Sequence, residues 1–135
     1  HALRTHLKDM GYDLSDEVLH GINLINHGEY FEAHEILESA WGKETRAPRR
    51  MLQGLIQVSV MLHHLERENL NGAAKLAQRS LANLQPFKEL QTPLDISRLI
   101  EDVASLSARI QAGETAEKLK YLVNTFRVSM EPTHP

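Results

Sequence analysis

The sequence predicts an all-α fold, a single-domain bundle of about five helices arranged around one central buried helix. Three observations carry this. The stretch from Met51 to Leu65, MLQGLIQVSVMLHHL, is apolar on nearly every side, which suits a helix surrounded by others. The flanking segments repeat their apolar residues at helical spacing between cap-forming residues, and no run alternates at period two as a half-buried strand does.

The first helix is expected to open at Ser15, a good N-cap, with Asp16 and Glu17 favourably placed for the helix dipole. Val18, Leu19, Ile22 and Ile25 supply its apolar stripe, and Asn26, His27 and Gly28 end it. A second helix runs from about Glu29 to Trp41, with Gly42 as its terminator. The central helix follows from about Ala47 to Glu68, Pro48 being tolerated in a first turn. Asn69 caps a fourth helix that begins through Gly72, Ala73 and Ala74 and closes at Pro86. The fifth spans about residues 93 to 112, with Thr92 as cap, Pro93 in the first turn and Ile96, Leu99, Ile100, Val103, Leu106 and Ile110 as its stripe. From Glu114 to Pro135 the pattern fits either a short helix or an extended segment, with the last residues frayed.

At 135 residues the chain is one domain's worth, residues 1–135 forming a single helical domain. A net charge of −3, with acidic and basic residues interspersed, gives no field that would draw nucleic acid or an anionic membrane. The absence of cysteine removes disulfides, thiolate metal sites and a cysteine nucleophile together. No apolar run reaches the roughly 20 residues of a membrane span, and no signal-peptide pattern opens the chain, so a cytoplasmic protein is expected. His1, which stands where a Met would, is left out of the functional reading. The partners left open are a small-molecule substrate, if the protein is an enzyme, and a second copy in a homo-oligomer.

Chemistry is hinted at in one place. On the central helix Gln53, Gln57 and His64 form a polar row, and buried amides or imidazoles need partners, since leaving one unpaired costs about 1–3 kcal/mol. The facing groups are expected from GEYFEAHEILESAW, residues 28 to 41, where His34 and Glu38 stand at i, i+4 on one border of the apolar face beside Trp41. That spacing lets two side chains hold one ion or each other. His34, Glu38 and His64 are the candidate ligands of a divalent ion, zinc or manganese. Glu35 is the weaker ligand or general base, and Gln57, Gln53 and Trp41 are the supporting residues. The same residues also suit a closed structural network, and His34-Glu35-Ile36-Leu37-Glu38 departs from the zinc-protease pattern because position 38 is Glu rather than His. Arg46, Arg49 and Arg50 form a small basic cluster, read as a solvated turn or as an anion site at a helix start.

GEYFEAHEILESAW, RRMLQGLIQVSVMLHHL and ENLNGAAKLAQRSLANL together resemble the small bacterial and archaeal family catalogued as domain of unknown function 309. The resemblance covers roughly residues 15 to 85 and rests on Ala33, His34, Glu35, Glu38, Trp41, the Gln53-Gly54-Leu55-Ile56-Gln57 block, His64, Asn69, Gly72 and Ala73. Glu68 stands where that family often has Gly. The resemblance implies an all-helical fold and a predicted metal-dependent hydrolase without an established substrate. Against it stands a reading from another class, a non-catalytic helical scaffold or interaction module in which the same residues satisfy one another.

Overall fold

The computed structural model describes residues 11–130, in which the chain forms six α-helices and two isolated β-bridges. In chain order these are α1 Asp16–Asn26, α2 Tyr30–Lys43, α3 Arg49–Glu66, α4 Leu70–Leu84, α5 Ile96–Gln111 and α6 Ala116–Thr125, with a 3-10 turn, Gln85–Phe87, after α4. His1 lies outside the described residues. The all-α single-domain bundle expected from the sequence is the fold observed.

Consecutive helices from α1 to α5 pack against one another, as short connections favour, and α6 returns to cover α3. Contact with α2, α4 and α6 makes α3 the centre of the molecule, and Met51, Leu55, Val58, Met61 and Leu62 are fully buried. Its apolar circumference is therefore a consequence of having three helical neighbours. Between α3 and α4 the backbones approach closely, because a Cβ on Gly54 would lie 2.8 Å from Cγ of the buried Leu84.

The caps explain most of the boundaries. Ser15 accepts from the Val18 amide at 3.2 Å, Asn69 from Gly72 at 3.0 Å, and Thr115 from Lys118 at 3.3 Å. The start of α5 differs from expectation: Asp95, not Thr92, is its cap, accepting from the Arg98 amide at 3.0 Å. Thr92 is instead buried, and its hydroxyl has no partner among the described residues. Thr92 and Pro93 form a bend, and Leu94 and Asp95 are tied to the C-terminal segment, through the Leu94 bridge to Met130 and the Asp95 amide donating to the Ser129 carbonyl at 2.9 Å. That pairing delays the helix by three residues. The segment after Gly113, left between two readings by its sequence, is the helix α6 followed by extended chain, and α6 docks through the buried Leu119 and Val123.

Candidate functional site

His34 lies on the rim of α2, half-buried, and its Nε2 meets Glu38 Oε1 at 2.5 Å, the i, i+4 pair expected from the sequence. Glu38 is half-exposed, so solvent screens the pair to a few tenths of a kcal/mol. Glu35, a quarter turn further round, is exposed. The neighbours of His34 were not anticipated. Phe31, one turn earlier, holds its ring 5.7 Å from the His34 ring and 6.2 Å from that of His63 on α3, while remaining 58% exposed. Tyr30, Phe31, His34, Val60 and His63 enclose a shallow concavity of about 170 Å³. The signal for it was an apolar Phe31 on the otherwise acidic outer side of α2, three residues before His34.

His64, expected beside His34, faces α4 instead. One residue is 100° of helix, so His63 takes the α2 side and His64 the next. The Asn69 side chain settles the role of His64: its Oδ1 caps the Gly72 amide, which turns its Nδ2 toward His64 Nδ1 at 3.2 Å. His64 Nδ1 is then an acceptor, the proton sits on Nε2, and burial, with the nearby His63, pushes the imidazole pKa below its ordinary value. A Cβ on Gly72 would lie 2.6 Å from Asn69 Nδ2 and 3.0 Å from the His64 ring, so a larger residue there would have to displace the Asn69 side chain. His64, Asn69 and Gly72 form a turn-locking unit between α3 and α4.

The remaining expectations for the polar row also change. Gln53 is exposed, and Gln57 accepts from Asn83 Nδ2 of α4 at 2.8 Å rather than meeting α2. Asn83 in turn accepts from Arg50 Nε at 3.0 Å. The row was expected to face His34 and Glu38; it follows α4 because the Gly54 contact seats α4 against that side of α3. Trp41 is half-buried at the end of α2 beneath Arg49, whose guanidinium carbon lies 3.6 Å from the ring centroid and whose Nε donates to the Trp41 carbonyl. Among the described residues no three His, Asp or Glu side chains are grouped so as to hold a metal ion. His34, Glu38 and His64 therefore offer a pair and a separate imidazole.

The basic cluster is likewise engaged by the protein itself. Arg50 donates to Asn83 and to the Ala82 carbonyl, Arg49 covers Trp41, and Arg46 pairs with Glu44 at 2.8 Å while lying over the Tyr12 ring. Glu44, bonded by Arg46 and by the Tyr12 hydroxyl, has its carboxyl lowered to about 2. Burial, and then this bond to Glu44, pushes the Tyr12 hydroxyl up.

Comparison with known proteins agrees with the resemblance read from the sequence. Residues 18–76 match the family model described as Domain of unknown function (DUF309). The chain is 37% identical over 86 residues to the uncharacterised protein YpuF of Bacillus subtilis (strain 168), covering 62% of this chain and 49% of that protein. It is 30% identical over 60 residues to an uncharacterised protein of Aquifex aeolicus (strain VF5), covering 44% of this chain and 18% of that one. The chain thus spans about half the length of the first relative and under a fifth of the second. The matched residues run from α1 into α4 and include His34, Glu38, Phe31, His63 and the His64, Asn69, Gly72 turn. No helix among the described residues is long and apolar enough to cross a membrane.

Proposed function

Taking residues 18–76 as a helical core of the DUF309 kind, we propose that the protein is a non-catalytic helical interaction module whose working face is the α2–α3 ridge around Phe31. The observation that carries this reading is a large aromatic ring, 58% exposed, framed by two imidazoles over a mostly apolar concavity. Aromatic side chains presented in this way are typical anchors of protein contacts.

The metal-dependent hydrolase reading retains one observation, the His34–Glu38 pair, which presents two ligand types on neighbouring turns. It needs a third donor and a base beside them. His64 is bonded to Asn69, and Glu35 is exposed, 100° of helix from His34.

Two measurements separate these readings. Melting of the wild type and of a His34→Ala/Glu38→Ala variant with zinc or manganese at neutral pH is expected to show the same small response in both. A metal-dependent rise lost only in the double variant would establish a metal centre at that pair, because a ligand bound to the native state raises stability by RT ln(1 + [L]/Kd). In cells, a photo-crosslinking benzoylphenylalanine at position 31 is expected to capture one discrete protein that the same group at exposed Tyr121 does not. Identical adducts from both positions would defeat the proposal.

A further inference from the structure

A second concavity, separate from the Phe31 ridge, lies where α5, α6 and the extended chain after α6 meet. It measures about 430 Å³, within the range of small-ligand sites. The geometry of three elements creates it. On α5, Arg98, Asp102 and Ser105 stand at i, i+4 and i+7, on one stripe. On the opposite wall the chain leaves α6 through Phe126 and Arg127 and is tied back to the start of α5 by the hydrogen bond that the Asp95 backbone N–H donates to the Ser129 carbonyl. Leu106, Leu122 and Phe126 supply an apolar floor.

From this arrangement we infer that the cleft binds a small carboxylate with an apolar body. Arg98, Arg127 and Asp102 border the cleft, so its lining carries one positive charge in excess, which suits a monoanion better than a phosphate dianion. Arg127 uses one terminal nitrogen to donate to the Asn124 and Phe126 carbonyls, which fixes the side chain and leaves its other N–H groups for a ligand. Arg98 is 61% exposed and its Nε meets Asp102 at 3.4 Å, longer than a strong charge-assisted bond, so the contact yields readily to a better acceptor. The hydroxyls of Ser105 and Ser129 add neutral donors, whereas Thr125 already donates to the Tyr121 carbonyl and serves only as wall. The arginines would take the carboxylate, and the apolar floor the hydrocarbon.

The test is a titration of the full, isotope-labelled chain with octanoate, followed through backbone amide shifts, with octanol and inorganic phosphate as comparison probes. Octanoate is expected to bind saturably with shifts concentrated on Ser105, Leu122 and residues 125 to 129. Octanol and phosphate are each expected to bind at least about tenfold more weakly, the order of one charge-assisted hydrogen bond. Arg98→Gln and, independently, Ser105→Glu change exposed side chains and are expected to weaken octanoate by a similar factor, with the rest of the spectrum unmoved. Octanol binding as well as octanoate, phosphate binding as tightly, shifts gathered instead at Phe31 and His63, or indifference to both substitutions would each overturn the inference.

Discussion

Glu68 has a backbone φ of 62°, in the left-handed region that favours glycine, at the turn where α3 gives way to Asn69. A non-glycine residue there costs about 1–2 kcal/mol, partly offset by the greater freedom glycine has when unfolded. Glu68→Gly is therefore expected to raise stability by about 0.5–1 kcal/mol in chemical denaturation, and a lower midpoint would show that the Glu68 side chain contributes something beyond the turn. The family-like pattern around it, His64, Asn69 and Gly72, is legible as a motif in the sequence but not as a turn lock, because its meaning lies in the direction Asn69 faces. Glu44 gives a second test at this scale. Its folded pKa, near 2, lies below the ordinary 4.5 because Arg46 and then Tyr12 donate to it, so its contribution is complete above pH 4.5 and is lost as pH falls toward 2. Glu44→Gln is expected to flatten the acid side of the stability profile between those values, measured by melting temperature against pH; an unchanged slope would mean the carboxylate is equally well held in the unfolded chain.

Among the elements, α3 behaves as its sequence suggests at its apolar positions and departs from it at the polar ones. Leu55 is fully buried, and Leu55→Ala is expected to cost about 2–5 kcal/mol. The glycines make a sharper paired test, because alanine at a helical position is intrinsically favoured over glycine by about 1 kcal/mol. At Gly42 the added methyl meets nothing within 4 Å, so Gly42→Ala should stabilise; at Gly54 it would lie 2.8 Å from Leu84, and the overpacking cost, about 1–3 kcal/mol, should win. Urea midpoints that move the same way for both variants would contradict the close α3–α4 approach. That approach also explains why Gln57 answers to Asn83 rather than to α2. A helical wheel gives the angle of the polar row, not which neighbour occupies that angle.

For the molecule as a whole, the family-like residues 18–76 stop within α4 and leave out α5 and α6, yet α3 packs against α6 and α4 against α5. Tyr30 on α2 donates to the Val123 carbonyl of α6 at 3.4 Å, and the apolar residues Leu65 and Ala77 are buried in the complete fold. A fragment of residues 11–90 is accordingly expected to keep helical far-UV signal while losing cooperative thermal unfolding, since uncovered apolar surface costs about 25 cal/mol per Å². A sharp transition equal to that of the full chain would show that α1 to α4 form a self-sufficient unit.

The sequence by itself determined the class of the fold, the central place of Met51 to Leu65, most helix starts and the family resemblance, because periodicity and capping are local and are written in residues three or four apart. It also fixed the His34–Glu38 pair, which needs only helical spacing. Tertiary structure alone decided that His63 rather than His64 shares the Phe31 concavity with His34, that Gln57 and Arg50 converge on Asn83, that Arg49 covers Trp41, and that α5 begins at Ile96 after a bend and a bridge to the C-terminal segment. Each of these depends on which helix lies beside which and on a rotation of about 100° between adjacent positions. Such a rotation moves a side chain from one neighbour to the next without changing the pattern that makes the helix.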